Sequence, residues 1–522
     1  MFVKGLIKTG EYFDSVTLMI AGRELSARPG VSDAAVVMGT SENKSILSAS
    51  GLLCPEIASA GDADLVICVK TDQEQAARAA LAAAEGLLKD VRQKGRSHGR
   101  YDPKSLENAL QVLPDANLAL ISIAGKYAGD AAMSALRAGL HVMLFSDNVP
   151  LETEIQLKTF ARERGLLVMG PDCGTAIING VPLAFANAVD RGPIGIVAAA
   201  GTGLQEVSCL ISNSGSGISQ AIGTGGRDVK EAVGGSMFLE GIRALAEDEA
   251  TKVILLVSKP PHAQVLEKIG AAVKGLGKPV VAVFLGADPR SLAGHDLHAA
   301  ATLEEAALLA AALAGGKSAD DSQDDLRRRD QELAGIAAEA AVKVKAGQKY
   351  IRGLFSGGTF CSEAQLISGD LPGGVYSNAP LPPAQPLPDA CRSQAHCFVD
   401  LGEDAFTVGR PHPMIDFSLR NRRIQEEAND PEVAAILLDV VLGYGSHPDP
   451  AGELAPTIAA AKAGAEKEGR RIIFLCSVTG TEKDPQIRSA VEKRLKEAGA
   501  MVLPSNAAAA KVAAGIARKL DR

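Results

Sequence analysis

Residues 195–206, GIVAAAGTGLQE, join a short apolar run to a Gly-Thr-Gly turn and to a helix-compatible segment that extends to Ser212. This pattern predicts a β-strand that breaks at small residues and continues as a helix. The first N–H groups of such a helix have no intrahelical partner, and with the helix dipole they form an anion site. Gly201, Thr202 and Gly203 are therefore candidate phosphate-binding residues. A tight βα turn without any ligand is the alternative interpretation.

The same pattern returns in the second half of the chain. Residues 352–364, RGLFSGGTFCSEA, again predict a strand, a small-residue turn and a helix start. This turn contributes four further candidates for phosphate binding: Ser356, Gly357, Gly358 and Thr359. Each turn is followed by a segment with Gly-x-Asp, a later glycine and then methionine, at 222–241 and at 400–418.

The apolar segments that follow also correspond between the two halves. Each half continues with two more strands and a closing small-residue helix, at 253–258, 280–286 and 303–314 in the first and at 435–441, 472–480 and 506–516 in the second. Strands that alternate with helices at this spacing predict parallel, doubly wound sheets. Because the whole order of elements repeats, we predict an internal duplication.

Length and composition set the broad class. A chain of 522 residues is too long for one core and predicts roughly three or four domains. The net charge of −8 gives no electrostatic argument for nucleic acid or an anionic membrane as a partner. No apolar run has the length of a membrane span, and the N-terminus does not resemble a signal peptide, so we expect a cytoplasmic protein. The eight cysteines lack the spacing of zinc sites, and no metal site is predicted.

The expected fold class is therefore multidomain α/β. The predicted segments are a small, ferredoxin-like α/β domain at 1–92, a Rossmann-like unit at 105–190, two flavodoxin-like copies at 191–316 and 350–522, and a charged helical linker at 317–349. The basic segment 93–104 is interpreted as a solvated linker, with phosphate binding as the alternative. The Pro-rich segment 371–388 either borders a site or bridges two strands.

A loop after the last predicted strand of the Rossmann-like unit adds two candidates. Residues 170–175 read GPDCGT, and open α/β sheets bind ligands at the carboxyl ends of their strands. Asp172 and Cys173 are therefore candidate substrate-binding residues. Cys173 is either a nucleophile or a structural cysteine, and its only neighbouring activator in the sequence is Asp172.

The order of these segments resembles a known enzyme family. ALISIAGKYAGDAAMSAL, HVMLFSDNV, GLLVMGPDCGT, GPIGIVAAAGTG and GTGGRD follow one another as in the α subunit of succinyl-CoA synthetase and other NDP-forming acyl-CoA synthetases. Residues 351–520 resemble the CoA-ligase domain of the β subunit without its ATP-grasp module. The fusion, with KTGEYFDSVTLM near the start and VGRPHPMID at 408–416, resembles the FdrA family over nearly the whole chain.

The sequence departs from that family at one important loop. Synthetases of this type carry phosphate on a histidine in a Gly-His-Ala-Gly loop, whereas Gly294-His295 is followed by Asp296-Leu297. The glutamate that orients the family's histidine would fall near 258–260, where the sequence is Ser-Lys-Pro. His295 remains a candidate phosphocarrier, although the sequence around it departs from the family in these two places. We do not expect complete ATP-dependent acyl-CoA synthesis from this chain alone.

Charged residues near the two turns complete the candidate site. Gly225, Gly226 and Arg227 follow the first turn as candidate phosphate-binding residues, and GRPHP at 409–413 follows the second. Arg410 and His412 in that loop are the candidate catalytic residues, because guanidinium binds carboxylate or phosphate in a bidentate manner and imidazole transfers protons. A rigid surface turn is the alternative interpretation of the two prolines.

The FdrA resemblance implies a function. It implies a component of oxamate carbamoyltransferase, which converts carbamoyl phosphate and oxamate to oxalurate and phosphate in allantoin catabolism, together with separately encoded partner subunits. No cofactor is required by that reaction. The alternatives are a subunit of an NDP-forming acyl-CoA synthetase, with CoA or a nucleotide as ligand, and a non-catalytic ligand-binding scaffold. A homodimer is left open.

Overall fold

The computed structural model describes residues 2–94, 103 and 105–521, apart from positions 12, 14, 41–42, 45–46, 49 and 408–410. Within these residues the strands form four sheets, two with three strands and two with seven. The molecule is mixed α/β, with several parallel-sheet units and one small antiparallel unit, so the predicted fold class is confirmed.

The first sheet is antiparallel and lies at the N-terminus. Its unit consists of β1 Phe2–Lys8, α1 Ser15–Ser26, β2 Val31–Met38, β3 Leu65–Thr71 and α2 Glu74–Lys94. The order β1-β3-β2, with β3 antiparallel to both neighbours, is the order of the corresponding strands in a ferredoxin-like sandwich. Its core combines β3 with apolar side chains of both helices.

The second sheet is parallel and has three strands in the order β4-β5-β6. Its unit consists of α3 Leu106–Val112, β4 Leu118–Ile121, α4 Gly125–Arg137, β5 His141–Leu144, α5 Leu151–Arg162 and β6 Val168–Met169. Each strand is followed by a helix or loop at its carboxyl end, as expected for a Rossmann-like unit.

The third sheet has seven strands in the order β13-β12-β11-β9-β10-β7-β8. Its elements are β7 Thr175–Ile178, β8 Val181–Ala184, β9 Arg191–Ala198, α6 Gly201–Asn213, β10 Ile218–Gly223, α7 Ser236–Glu247, β11 Val253–Ser258, α8 Ala263–Val273, β12 Val280–Phe284, α9 Pro289–Leu292, β13 His298–Ala299 and α10 Leu303–Ala314. The strands from β9 to β13 are parallel and give the flavodoxin-like order.

The hairpin β7–β8 extends this third sheet rather than the second. Strand β10 pairs antiparallel with β7, and β7 pairs antiparallel with β8. The sequence pattern predicts residues 175–184 as part of the Rossmann-like unit that ends at 190. The domain boundaries as such stay a prediction, but the hydrogen bonding assigns this hairpin to the sheet of the first copy.

The fourth sheet is parallel, with seven strands in the order β16-β15-β17-β14-β18-β19-β20. Its elements are β14 Tyr350–Phe355, α12 Gly358–Ile367, β15 Val375–Ser377, β16 Gln385–Pro386, β17 His396–Asp400, α13 Asp404–Thr407, α14 Ser418–Asn429, β18 Val433–Val441, α15 Pro450–Lys467, β19 Ile473–Thr479, α16 Arg488–Glu497, β20 Met501–Leu503 and α17 Asn506–Leu520. Strands β15 and β16 lie within the Pro-rich segment and form the sheet edge.

Five strands of the third sheet correspond one by one to five strands of the fourth. The order β13-β12-β11-β9-β10 matches β20-β19-β18-β14-β17, and in both sheets the helix after the first strand begins with a Gly-Thr turn. The chain therefore contains a structural duplication. The central strands are buried on both faces, which explains their nearly continuous apolar sequences.

The two copies are packed together through one continuous hydrophobic core. It includes Leu204 of α6, Phe360 of α12 and Ala508 of α17, together with both sheets. The helix α11, Ala319–Ala341, connects the copies and contributes Leu333 and Ala337 to the same core. Ser318 and Asp321 form a capping box at its start.

Among the helices that the structure describes, none combines the length and the apolar composition that crossing a membrane requires.

Candidate functional site

The two Gly-Thr turns start helices at equivalent places. Helix α6 begins at Gly201 after β9, and α12 begins at Gly358 after β14. In the third sheet β9 lies between β10 and β11, and in the fourth sheet β14 lies between β17 and β18, so in each sheet the chain continues on both sides of this first strand. Each helix therefore starts at a topological switch point, where doubly wound sheets bind ligands.

The two helix starts meet each other. A Cβ added at Gly203 would stand 3.1 Å from Cγ2 of Thr359, and a Cβ added at Gly357 would stand 2.8 Å from Cγ2 of Thr202. Each threonine methyl thus fills the space that a glycine of the other copy leaves open. The seven predicted phosphate-binding residues of the two turns are brought together at one place.

The N–H groups of the first helical turns are the available donors. The first intrahelical bond of α6 is donated by Leu204 to Ala200, and that of α12 by Cys361 to Gly357. The N–H groups of residues 201–203 and 358–360 therefore precede the helical ladder, and no described residue accepts from them. Two helix dipoles and these amides make the junction attractive to an anion.

Ser356 and Gly357 have a different partner. The N–H and hydroxyl of Ser356 donate to Asp439 at 2.8 and 2.6 Å, and the N–H of Gly357 donates to the same carboxylate at 3.1 Å. Asp439 is fully buried and pairs with the equally buried Arg420 at 2.9 Å. This carboxylate occupies the donors that were predicted to bind phosphate, so the ligand-facing part of the second turn is 358–360.

Asp400 lies directly beside the second helix start. It is the last residue of β17, only 4% exposed, and its Oδ1 accepts the N–H of Gly402 at 2.9 Å. Its Oδ2 lies 2.5 Å from the position of a Cβ added at Gly358. Burial raises the pKa of Asp400 to about 7, and the nearby Glu403 adds to this while Lys259 opposes it.

His412 lies on the other side of Gly402. A Cβ added at Gly402 would stand 2.9 Å from Nε2 of His412 and 3.1 Å from Oδ1 of Asp400. Nδ1 of His412 accepts the N–H of Met414 at 3.3 Å, so in the neutral ring Nε2 carries the proton. Burial lowers the pKa of His412 to about 4, with Asp439 opposing the shift. The imidazole is therefore a neutral hydrogen-bond donor at physiological pH.

An aromatic contact connects His412 to the Rossmann-like unit. The ring of Phe185 lies 6.3 Å from that of His412 and 5.7 Å from that of Phe145, which follows β5. The carboxyl edge of the three-stranded sheet therefore faces the same region as the two helix starts.

Asp172 and Cys173 occupy that edge in different ways. Asp172 adopts a left-handed backbone with φ of 56°, which is uncommon for a residue other than glycine. Burial raises its pKa to about 6, Asp147 adds to this and Arg227 opposes it. Cys173 is buried and its thiol donates to the carbonyl of Gly223 at 3.3 Å. Burial raises the pKa of this thiol to about 12, which favours the structural interpretation over the nucleophile.

The loop with Gly225, Gly226 and Arg227 packs against the same edge. A Cβ added at Gly225, whose φ is 81°, would meet the carbonyl of Pro171. The guanidinium of Arg227 pairs with Glu154 at 2.8 Å and donates to the carbonyl of Val149 at 2.8 Å. Arg227 is thus bound to the Rossmann-like unit, and a role in phosphate binding stays a prediction.

A buried charge cluster fixes this loop. Nζ of Lys158 lies 2.8 Å from Glu154, 2.9 Å from Asp228 and 2.9 Å from the carbonyl of Thr224. The carboxylate of Asp228 also accepts the N–H groups of Met237 and Phe238 at the start of α7. These contacts attach α5 to the first copy.

His295 is not brought to the helix starts. It precedes β13, in which His298 pairs with Val281 near the amino end of β12. Its imidazole packs against Gly270 in α8, and the neighbouring Asp296 accepts the N–H of Gly275 at 3.3 Å. His295 therefore lies at the amino edge of the sheet, whereas α6 begins at the carboxyl edge.

Arg410 belongs to positions 408–410, which lie outside the described residues, so its catalytic role stays a prediction. The described residues hold no group of three or more His, Cys, Asp or Glu side chains arranged to bind a metal ion.

Asp400 and Asp439 were not among the predicted site residues. Asp400 ends the strand HCFVD, and Asp439 lies near the end of the strand VAAILLDVV, whose other residues are all apolar. A carboxylate in such a strand is costly unless it has hydrogen-bond partners, so its position in the sequence is unusual, but the sequence does not show which partners it has.

Comparisons with known proteins agree with this architecture. Residues 354–516 match the family CoA-ligase, and residues 1–103 match the family AllF, heavy metal-associated domain. The chain is 44% identical over 510 residues, 97% of each chain, to the uncharacterized protein YahF of Escherichia coli K12. It is 30% identical over 187 residues to succinate–CoA ligase [ADP-forming] subunit alpha 1 of Archaeoglobus fulgidus, which is 35% of this chain and 62% of that subunit.

A similar solved structure is the dinucleotide-forming acetyl-coenzyme A synthetase 1 of Ca. Korarchaeum cryptofilum, at 14% identity and a TM-score of 0.34 over 78% of this chain and 83% of that one. The duplicated sheets and the CoA-ligase match define a protein with the succinyl-CoA synthetase-like fold of acid–thiol ligases. Within this class, the chain belongs to the FdrA family of succinyl-CoA synthetase-like proteins.

Proposed function

We propose that this chain is the acyl-transferring subunit of an acid–thiol ligase of the succinyl-CoA synthetase type. Its substrates are an acyl phosphate and the thiol of CoA, and its products are an acyl-CoA and inorganic phosphate. The observation that carries the proposal is the meeting of the two helix starts, with Thr202 against Gly357 and Thr359 against Gly203. An acyl phosphate needs N–H donors for its phosphoryl group, and the two first turns supply them.

The chemistry follows from the charges at the junction. The phosphoryl group accepts hydrogen bonds from the N–H groups of 201–203 and 358–360, and the helix dipoles stabilise the charge that grows on it as the acyl–oxygen bond breaks. The neutral His412 donates from Nε2 to an oxygen of the substrate. The sulfur forms the new bond to the acyl carbon, and phosphate leaves.

In this proposal a separately encoded partner subunit supplies the phosphoryl group. His295 lies at the opposite edge of its sheet, and no carboxylate of the described residues is bonded to it in a position to orient it. In our proposal the chain therefore receives an acyl phosphate rather than forming one from a nucleotide. We expect this complex in the cytoplasm. It contains one or two copies of this chain.

The test is thioester formation without nucleotide. The chain, alone and with its partner subunits, is incubated with acetyl phosphate or succinyl phosphate and CoA, and acyl-CoA and phosphate are measured together. We expect equal amounts of both products. The variant Gly357→Ala should reduce the rate, and Gly335→Ala, at an open position in α11, should not. Binding of acyl phosphate with no product in any combination would contradict the proposal and favour a ligand-binding scaffold.

A second candidate is carbamoyl transfer from carbamoyl phosphate to oxamate. It is favoured by the match of residues 1–103 to the AllF domain and by the position of His295, since this reaction needs neither CoA nor a phosphohistidine. The same phosphate site would bind the carbamoyl phosphate. Oxamate replaces CoA in the assay, and oxalurate is the product to be measured. Oxalurate formation in the absence of any thioester would replace the first proposal by this one.

A further inference from the structure

The carboxyl group of Asp400 is fixed in place by its backbone. The main-chain N–H of Asp400 donates to Asn378 at 2.9 Å, and the amide of Asn378 donates back to the carbonyl of Asp400 at 2.9 Å. Oδ1 accepts the N–H of Gly402, so two hydrogen bonds hold the backbone of Asp400 and one holds its carboxyl group. Such restraint places one carboxyl oxygen in a defined position.

That oxygen is Oδ2, and no described residue donates a hydrogen bond to it. It points at the start of α12, where a Cβ at Gly358 would lie only 2.5 Å away. The residue as a whole is only 4% exposed. An oxygen in this position, without a donor among the described residues, is available to accept a hydrogen bond from a ligand or to take up a proton. It lies at the edge of the anion site, next to the first-turn N–H groups.

The charged and titratable groups around Asp400 come from several elements. They are Glu403 in its own loop, Asp439 of β18, Lys259 after β11 and the neutral His412. Asp439 is already paired with Arg420 and hydrogen-bonded to Ser356. Among these groups Asp400 alone combines an unpartnered oxygen with a position at the helix start.

We propose that Asp400 is the general base that removes the proton from the nucleophile when it attacks the acyl phosphate. The proposal rests on the proposed function and holds for either acceptor, the S–H of CoA or the N–H of oxamate. The nucleophile forms a bond to the acyl carbon, and the bond from that carbon to the phosphate oxygen breaks. The proton passes to Oδ2 of Asp400 and then to the departing phosphate, which leaves as hydrogen phosphate.

The position of Asp400 suits both halves of this proton transfer. Burial raises its pKa to about 7, which makes it a stronger base than an exposed carboxylate and still leaves it ionised in part at neutral pH. Because Oδ2 borders the N–H groups that hold phosphate, the leaving group lies within reach of the same proton.

The kinetic test is the pH dependence of kcat/KM for phosphate release with the preferred acceptor. In the wild-type chain with its partners, kcat/KM should rise with pH up to an inflection near 7 and then level off, because the ionised carboxylate is the active form. In Asp400→Asn, kcat should fall by roughly 10²–10⁴-fold and this inflection should disappear. The exposed Asp404→Asn, at the start of α13, should keep the wild-type profile.

A binding test separates the base role of Asp400 from the proposed function. Sulfate is the probe, because its charge is constant between pH 6 and 8. Its affinity for the wild-type chain should fall several-fold as Asp400 ionises, and in Asp400→Asn it should be independent of pH. Circular dichroism and melting temperature show that the variant is folded. Gly358→Ala, which displaces the carboxyl group without removing it, is the second variant and should also slow turnover.

The outcomes are distinguishable. Turnover in the wild type with an equal rate and profile in Asp400→Asn would overturn the role of Asp400 and leave the proposed function intact. No turnover with any acceptor, alongside pH-dependent sulfate binding, would overturn the proposed function and the base role with it. Sulfate binding with the same pH dependence in both proteins would show that Asp400 does not border the anion site.

Discussion

Asp439 distinguishes the two helix starts at the scale of a single residue. Val257 of the first copy and Asp439 of the second occupy equivalent positions. Val257 pairs with Ala198, three residues before α6, and Asp439 follows Leu438, which pairs with Leu354. The valine leaves the turn amides of the first copy without a carboxylate. Asp439 instead binds Ser356 and Gly357, so the duplicated turns are no longer chemically equal.

We expect Asp439→Asn to destabilise the protein. The substitution leaves the guanidinium of Arg420 buried without a counter-charge, and two of its nitrogens already lack hydrogen-bond partners. The expected loss is about 3–5 kcal/mol of unfolding free energy, measured by denaturant unfolding. Asp370→Asn, which breaks an exposed pair with Arg518, should cost less than about 1 kcal/mol. Equal losses of unfolding free energy in the two variants would contradict a stabilising role of the buried pair between Asp439 and Arg420.

We also expect His412 to act as a donor and not as a titrating acid. With a pKa of about 4, it should contribute no inflection to activity between pH 5.5 and 8. His412→Gln keeps an N–H donor and should lose less than about tenfold in kcat/KM. His412→Leu should lose roughly 10–150-fold, as expected when a hydrogen bond to a charged group is removed. Nitrogen NMR of the imidazole at pH 6 should show a neutral ring, and a charged ring there would refute this role.

Sequence patterns predicted the site unevenly at this scale. The glycines and threonines of both turns could be found because a turn of small residues between a strand and a helix is a local sequence pattern. Asp400 could not be assigned, because its role depends on Gly358, which is 42 positions away in sequence but adjacent in space. His295 was retained from a family motif, and only the pairing of β12 with β13 shows at which sheet edge it lies.

At the scale of elements, the contact between the two helices depends on the absence of side chains. A Cβ at Gly357 would lie 2.8 Å from Thr202 and 2.8 Å from Phe360, closer than packed atoms allow. We expect Gly357→Ala to cost about 1–3 kcal/mol of stability and to weaken sulfate binding, because the helix starts must separate. Calorimetry and thermal melting measure both. Gly335→Ala, with open space around it, should be neutral or slightly stabilising.

Two buried glutamates join the copies reciprocally. Glu206 of α6 accepts the N–H of Asn506 at the start of α17, at 3.0 Å, and Glu363 of α12 accepts the N–H of Leu303 at the start of α10, at 2.8 Å. Each helix that begins at the site thus caps the closing helix of the other copy. This exchange was not predictable from the sequence, because the partners are separated by 300 and 60 positions.

Glu363 should make stability depend on pH. Burial raises its pKa from 4.5 to about 7, so the folded protein binds this proton more tightly than the unfolded chain. The resulting stabilisation is complete below pH 4.5 and is lost as the pH rises through 7. The unfolding free energy of the wild type should decrease between pH 5 and 8. In Glu363→Gln we expect this decrease to be smaller by about 1–3 kcal/mol. Glu339→Gln, exposed on α11, is the control, and an unchanged slope in Glu363→Gln would contradict the assignment.

At the scale of the whole molecule, the duplication was predictable and part of the sheet topology was not. Apolar strands, Gly-Thr turns and closing helices repeat in the same order in sequence and in structure. The hairpin β7–β8 carries no local signal for the sheet that it joins, since strand pairing is decided by contacts with β10, more than 30 residues away. The antiparallel pairing therefore appeared only in the structure.

In our proposal the duplication provides one shared anion site instead of two. Its core is continuous across both copies, and the helix starts approach each other at the carboxyl edges of both sheets. A fused arrangement of this kind fixes the geometry that two separate chains would have to form by association. In our proposal the partner subunits then need only deliver the acyl phosphate and its acceptor.

The most direct measurement is anomalous diffraction from a crystal soaked in selenate, a heavier analogue of sulfate and phosphate. We predict one selenate at this junction, within hydrogen-bond distance of N–H groups from both 201–203 and 358–360, and its loss in Gly357→Ala. Two separate selenates, one at each helix start and neither shared, would contradict a common site. The absence of any selenate at the junction would contradict the account altogether.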